Sequence, residues 1–209
     1  MTELVLATGN PGKLRELTPP LAALGFTLHT QAELGIAAVD ETAGTFVENA
    51  LLKARHAAQC GGLAALAEDS GLCVPALGAA PGLFSARYAG EQATDEENNA
   101  KLLRAMESLR GSARQAYFTC CMVYLTEADD PSPLIGQGFW FGEIAKAPRG
   151  GGGFGYDPIF YPAGLGGSAA ELDGPQKGAL SHRGAALRAL LALLRQQGYS
   201  SPQPASPRD

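Results

Sequence analysis

Glu3-Leu4-Val5-Leu6-Ala7-Thr8-Gly9-Asn10-Pro11-Gly12-Lys13 runs from an apolar segment of strand length into a Gly-Asn-Pro-Gly turn, and Lys13 to Leu17 then reads as helix. Strand, glycine-rich turn and helix in that order point backbone N–H groups and the positive end of a helix dipole at one spot, which suits a phosphate. Lys13 adds a mobile cation. A Walker A loop is excluded, because it needs four residues between its first Gly and the Gly-Lys pair and then Ser or Thr. Here two residues separate Gly9 from Gly12, and Leu14 follows Lys13. Taken alone, Thr8, Gly9, Asn10, Pro11, Gly12 and Lys13 are either an anion site or a plain strand-to-helix turn.

Outward from this turn, Thr18 and Pro19 predict a kink and a second short helical piece ended by Gly25. Phe26 to Thr30 is a second strand. Thr45-Phe-Val-Glu48 fits a capping box for a helix that stops at Gly61-Gly62. Leu63 to Ala67 is a small apolar strand ending at Glu68-Asp69-Ser70-Gly71. Thr94 and Glu97 repeat the capping box and open a helix to about Leu109. Gln115–Leu125 and Leu134–Lys146 predict an antiparallel pair. A glycine-dense loop, Gly150 to Gly155, precedes a last helix over His182–Gln197 with leucines at 187, 190, 191 and 194. Strands that first alternate with helices and then form a hairpin predict an α/β fold with a mixed sheet flanked by helices. A Pro/Ser-rich end reads as a disordered tail, residues 199–209, leaving 1–198 as one domain.

The 209 residues, 45% of them hydrophobic, suffice for a core without staples. A net charge of −5 gives no bulk attraction to nucleic acid or an anionic membrane, so an anionic ligand needs a locally basic site. Cys60, Cys73, Cys120 and Cys121 lack metal-ligand spacing and read as reduced and mostly buried. No leader and no membrane-length apolar run is visible, so the expected address is the cytoplasm.

Four further groups of residues bear on chemistry. Lys53 lies four residues after Asn49 and shares its helix face, either as a solvated lysine or as part of a site. Glu68-Asp69, expected at the carboxyl end of a strand, would suit Mg²⁺. Asp40-Glu41 is a second acidic pair, with Asp40 in a solvent-exposed turn. Gly150 to Gly155 contains GxGxxG but leads into Tyr156-Asp157-Pro158 rather than a helix, so the dinucleotide reading fails. Instead the loop is expected to present Phe154 and Tyr156 as flat surfaces for a base. Ser181 is the expected N-cap of the last helix. His182 is structural or functional with equal warrant. Arg183 would favour a 6-oxo purine, which offers O6 and N7 as acceptors where adenine has an N–H donor.

Five stretches together resemble the inosine triphosphate pyrophosphatase family, also described as dITP/XTP pyrophosphatases: LATGNPGKLREL from Leu6, ETAGTFVENALLKARHAA from Glu41, AEDSGLCVPALGAAPGLFSARYAG from Ala67, GGFGYDPIF from Gly152 and LSHRGAAL from Leu180. The resemblance implies a mixed, twisted sheet with helices, two lobes around a central cleft, and a homodimer. It implies Mg²⁺-dependent hydrolysis of ITP, dITP and XTP to the monophosphate and pyrophosphate. Thr8 to Lys13 and Lys53 would hold the phosphates. Asp69 would be the general base or the metal ligand that positions the attacking water, with Glu41 a metal contact and Ser70 touching substrate. Phe154, Gly155, Tyr156, Asp157, Lys177, His182 and Arg183 would form the base pocket. Two departures stand out: Glu68 where many members have Asp, and a segment Asp173-Gly174-Pro175-Gln176 before Lys177 that is less charged than expected and suggests a shifted loop. A nucleotide-binding sensor and a pyrimidine-directed pyrophosphatase of another fold are the rival readings; retention of Glu41 and Asp69 disfavours the first and Arg183 the second.

Overall fold

The structure, a computed structural model, describes residues 2–200. Its strands are β1 (Thr2–Leu6), β2 (Phe26–Thr30), β3 (Ala64–Cys73), β4 (Gln115–Leu125), β5 (Leu134–Ile144) and β6 (Phe160–Pro162). Its helices are α1 (Pro11–Ala22), α2 (Phe46–Gly61), α3 (Asp95–Ala105), α4 (Gly174–Leu180) and α5 (His182–Gln196). The strands form one sheet in the order β2-β1-β3-β4-β5-β6. β1 pairs in parallel with β2 and β3, and the remaining pairs are antiparallel, so the expected mixed α/β sheet is present.

The pleat sorts the core. Leu4 and Leu6 of β1, with Leu66, Met122 and Tyr124, pack under α1 and the leucines of α5. Val5, Ala65, Ala67, Val123 and Leu125 take the opposite face, against the alanines of α2. A third cluster, with Leu72, Phe118, Trp140 and Phe160, joins the far half of the sheet to Leu102 and Met106 beside α3. Each fully buried Leu in these clusters stabilises the fold by about 1.5–3 kcal/mol. α5 lies close on β5 because Gly136 and Gly138 face it, where a Cβ would run into the carbonyls of Ala186 and His182.

Three expectations are corrected. The kink at Thr18–Pro19 does not form: α1 runs unbroken through Pro19 and Pro20 to Ala22. Leu17 and Leu21 are fully buried on one face, and that packing holds the helix across two lost amide donors. β3 does not stop at Ala67; it continues through Glu68-Asp69-Ser70-Gly71 to Cys73, because Tyr117–Cys121 of β4 pair with this half of it. Tyr199, assigned to the tail, is packed: its ring stacks on Phe26 at 4.9 Å and its hydroxyl lies 2.6 Å from that of Tyr124. Of the rest of the expected tail, Ser200 is exposed and 201–209 lie outside the described residues. Of the four free cysteines, Cys73, Cys120 and Cys121 are buried and Cys60 is exposed.

Candidate active site

A cleft of about 830 Å³ opens where β1 ends and β3 continues without it. The loop Thr8–Lys13 borders it, and Thr8, Gly9, Asn10 and Lys13 line it. Pro11 and Gly12 do not; Pro11 occupies the first turn of α1, where its missing N–H costs nothing. Apart from that of Gly9, the amides of the turn are not free as expected. Asn10 caps α1, its Oδ1 accepting from the N–H groups of Gly12 (2.8 Å) and Lys13 (3.2 Å), while Thr8 Oγ1 accepts from Asn10 N–H at 3.2 Å. The loop therefore offers an anion the Thr8 hydroxyl, the Gly9 N–H and the Lys13 ammonium before its other amides.

Alternation along β3 sends Glu68 and Ser70 to the α5 face and Asp69 to the α2 face. Glu68 is buried and joins two cations: Lys13 at 2.9 Å and Arg183 Nε at 2.9 Å. Cys120 Sγ donates to it at 3.3 Å. Burial alone would raise the Glu68 carboxyl, but the Lys13 and Arg183 charges outweigh it and hold it well below the usual carboxylate range. Its oxygens are thus committed to these partners. Arg183 also donates to Glu16 at 3.2 Å and Ser70 Oγ at 3.4 Å, which leaves one N–H on each terminal nitrogen.

On the other face, Asn49 Nδ2 and Lys53 Nζ donate to Asp69 at 3.2 Å each, and Lys53 also donates to Glu41 at 2.6 Å. The shared helix face of Asn49 and Lys53 thus serves a site. Lys53 lines the cleft but holds the two acids rather than the phosphate loop. Glu41 and Lys53 line the cleft, whereas Asp69 is buried beside Lys53 and does not line it. Burial pushes the Asp69 carboxyl up, and neighbouring Glu41 adds to this against the pull of Lys53. Asp40 is exposed as expected, at the cleft's rim.

The glycine-dense loop also borders the cleft, with the Phe154 ring close to Gly12. Phe154 is 38% exposed, with Lys177 Nζ 4.3 Å from its ring centroid and Arg183 Cζ at 5.5 Å. Lys177 is also ion-paired with Asp157, whose carboxylate accepts from Phe154 N–H at 2.8 Å. Tyr156 lines the cleft as expected, but it is buried in the third cluster and donates its hydroxyl to Ser85 C=O at 2.8 Å, so it presents no open stacking face. Gly155 is held from α3 by Asp95, which accepts its N–H at 2.6 Å, and by Asn99, which donates to its C=O at 2.9 Å. His182 is buried and stacks on Phe118 with ring centroids 4.7 Å apart. Burial, then the neighbouring Arg183, push its pKa well below the usual value, so it stays neutral. Before Lys177, Asp173 caps α4 through a capping box with Gln176, which gives the less charged segment a structural purpose. Ser181 caps α5 as expected.

Sequence reading missed Asn49 as a ligand of Asp69, and Glu16, Arg87, Asp95 and Phe118 as neighbours of the site. Arg87 sits inside a stretch already singled out, but nothing local marks where its side chain goes. Among the described residues, no three His, Cys, Asp or Glu side chains form a ready metal cage. Two carboxylates sharing one ammonium are nevertheless a fitting seat for a hard divalent ion, since Mg²⁺ typically takes one or two carboxylates and completes its shell with water and phosphate.

A cleft with cations and acids at one end and an aromatic ring over two cations at the other defines an α/β protein suited to a phosphorylated, planar ligand. The Ham1 family model matches residues 4–193, and the chain belongs to that family. The dITP/XTP pyrophosphatase of Photorhabdus laumondii is 57% identical over 195 residues, covering 93% of this chain and 99% of that protein. Its Escherichia coli counterpart is 53% identical with the same coverage. The solved HAM1 protein of Coxiella burnetii superposes with a TM-score of 0.89 at 50% identity, covering 94% of this chain and 100% of that one. The Staphylococcus aureus Ham1 protein gives 0.85 at 37%, covering 93% and 99%.

Proposed function

We propose that this chain hydrolyses non-standard purine nucleoside triphosphates (ITP, dITP, XTP) to the monophosphate and pyrophosphate, removing them from the nucleotide pool before they enter DNA or RNA. The observation that carries the reading is the single cleft that joins Lys13, the Glu41–Lys53–Asp69 group and the Phe154–Lys177–Arg183 group. The base stacks on Phe154, and the free N–H groups of Arg183 meet the purine O6 and N7 acceptors that adenine does not match. Lys13 and Thr8 take the phosphates. Lys53 leaves the two carboxylates for the incoming phosphates, which opens Asp69 to the attacking water. Asp69, with its raised pKa, then accepts the water's proton. Glu41 and Asp69 would hold Mg²⁺, which when bound supplies charge neutralisation at the phosphates.

The two apolar clusters on the α5 face, one on each side of the Glu68–Arg183 pair, act as the two lobes of a single domain that extends past the expected end at 198 to take in Tyr199. The substrate is a free nucleotide rather than nucleic acid, and the protein works in the cytoplasm; no described helix is long and apolar enough to cross a membrane. A homodimer forms through the aromatic face of β4 and β5, where Phe139 and Phe141 are 45% and 62% exposed beside Tyr117. Phe141→Glu is expected to yield a monomer by light scattering; an unchanged mass rejects this face.

Incubating the protein with ITP and Mg²⁺ is expected to release pyrophosphate, with ATP a far poorer substrate by kcat/KM. Asp69→Asn is expected to abolish turnover while ITP binding persists. A fully active Asp69→Asn variant sinks the assignment.

A further inference from the structure

The cations of the cleft differ in how far their donors are already committed. Lys13 is on Glu68 at 2.9 Å, and Lys53 is on Glu41 and Asp69 at 2.6 and 3.2 Å. Lys177 is on Asp157, and Arg183 is on Glu68, Glu16 and Ser70. Arg87 differs from all of these. Its guanidinium lies 3.8 Å from Glu41 and 3.6 Å from Glu91, beyond hydrogen-bond reach, and its Cζ rests 5.3 Å from the Phe84 ring centroid. Glu91 is itself 83% exposed, so water weakens that pairing.

The backbone beneath Arg87 is firmly placed. It ends the 3₁₀ segment Gly82–Arg87, which Ser85 ties to β3 by accepting Leu72 N–H at 2.9 Å and donating to Gly82 C=O at 2.6 Å. Gly71 lets that segment approach, since a Cβ there would collide with the Gly82 carbonyl. A fixed backbone with an uncommitted guanidinium on the cleft wall is what a multiply charged anion requires. Arg87 also sits at the acid end, because its neighbour Glu41 shares Lys53 with Asp69, whereas the aromatic end belongs to Phe154 and Lys177.

We propose that Arg87 binds the terminal phosphoryl groups of the substrate and holds the pyrophosphate as it leaves. The inference rests on the pyrophosphatase reading. In that reaction the water oxygen bonds to the α-phosphorus, and the bond from that phosphorus to the bridging oxygen breaks. The bridging oxygen departs with the electron pair as pyrophosphate, and the water's proton passes to Asp69. Charge therefore builds on the leaving group, and a planar guanidinium can meet two of its oxygens at once where an ammonium meets them as a point charge.

The test is calorimetric titration of pyrophosphate and, separately, inosine monophosphate into wild type, Arg87→Ala and Arg87→Lys, all with MgCl₂. Arg87→Ala is expected to weaken pyrophosphate at least tenfold while the monophosphate changes less than twofold, and Arg87→Lys to recover part of the loss. Pyrophosphate affinity within twofold of wild type overturns the proposal. So does an equal loss for both ligands, or a wild type that binds no pyrophosphate at millimolar concentration. Pyrophosphate release from ITP by the wild type, measured alongside, tests the underlying reading by itself, since the titrations need no turnover.

Discussion

Glu68→Gln removes the one charge that two cations share in the middle of the molecule. The side chains of Glu68 and Arg183 are 1% and 3% exposed, and Lys13 is 18% exposed. Removing one partner of a buried pair costs about 3–5 kcal/mol, because the charge left behind is uncompensated. Two features place this case at the lower end. Lys13 has solvent to turn towards, and Arg183 keeps Glu16 at 3.2 Å and Ser70 at 3.4 Å. The expected loss is about 3 kcal/mol, or about 6–12 °C in Tm for a chain of this size. Circular dichroism melts at pH 7 and fixed protein concentration would measure it. The pH dependence adds a second criterion. The folded carboxyl lies well below its unfolded value of about 4.3, so its contribution is complete above that value and is lost as pH falls through the folded one. The gap between wild type and variant should hold from pH 7 to 5 and close only in stronger acid. A Tm within about 2 °C of wild type at pH 7, or a gap already closing by pH 5, would refute the reasoning.

Further outcomes separate binding from scaffold. Phe154→Ala should raise KM for ITP about 10- to 100-fold through lost stacking, with little change in Tm. Tyr156→Phe should do the reverse, costing about 1 kcal/mol by removing a half-buried hydrogen bond to the Ser85 carbonyl, with KM near wild type. A KM effect at Tyr156 equal to that at Phe154 would restore it as a stacking surface. Because burial, helped by Glu41 and opposed by Lys53, raises Asp69, its carboxyl should titrate above the free aspartate value of about 3.9 when followed by NMR without Mg²⁺; a titration at or below that value contradicts the raised carboxyl.

Where neighbours in sequence supply the physics, the fold was legible. The capping box at Thr94–Glu97, the leucine face of α5 and the β4–β5 pair depend on side chains a few positions apart, and all are present. β3 shows the opposite case. Glu68-Asp69-Ser70-Gly71 has poor strand propensity, and only pairing with Tyr117–Cys121, far along the chain, keeps it extended. The site divides in the same way. The i, i+4 spacing of Asn49 and Lys53 showed a shared face, but their partner Asp69 comes from another element. Tyr156 lay in a glycine-rich context that looked like loop, and the carbonyl that fixes it belongs to Ser85, 71 positions earlier. Family resemblance, not periodicity, brought Lys177 and Glu41 to the same cleft.

The continuation of β3 past the end of β1 has a consequence for how substitutions at the cleft will behave. Glu68 and Asp69 are consecutive, yet the pleat puts a sheet between their carboxylates. One tethers Lys13 and Arg183; the other faces Lys53 and Asn49. These partners are not shared, so a change at 68 reaches 69 chiefly through the backbone. Adjacent positions in the chain are therefore separate dials: on the proposed reading, a change at 68 should move nucleotide affinity through Lys13 and Arg183, and one at 69 should move turnover.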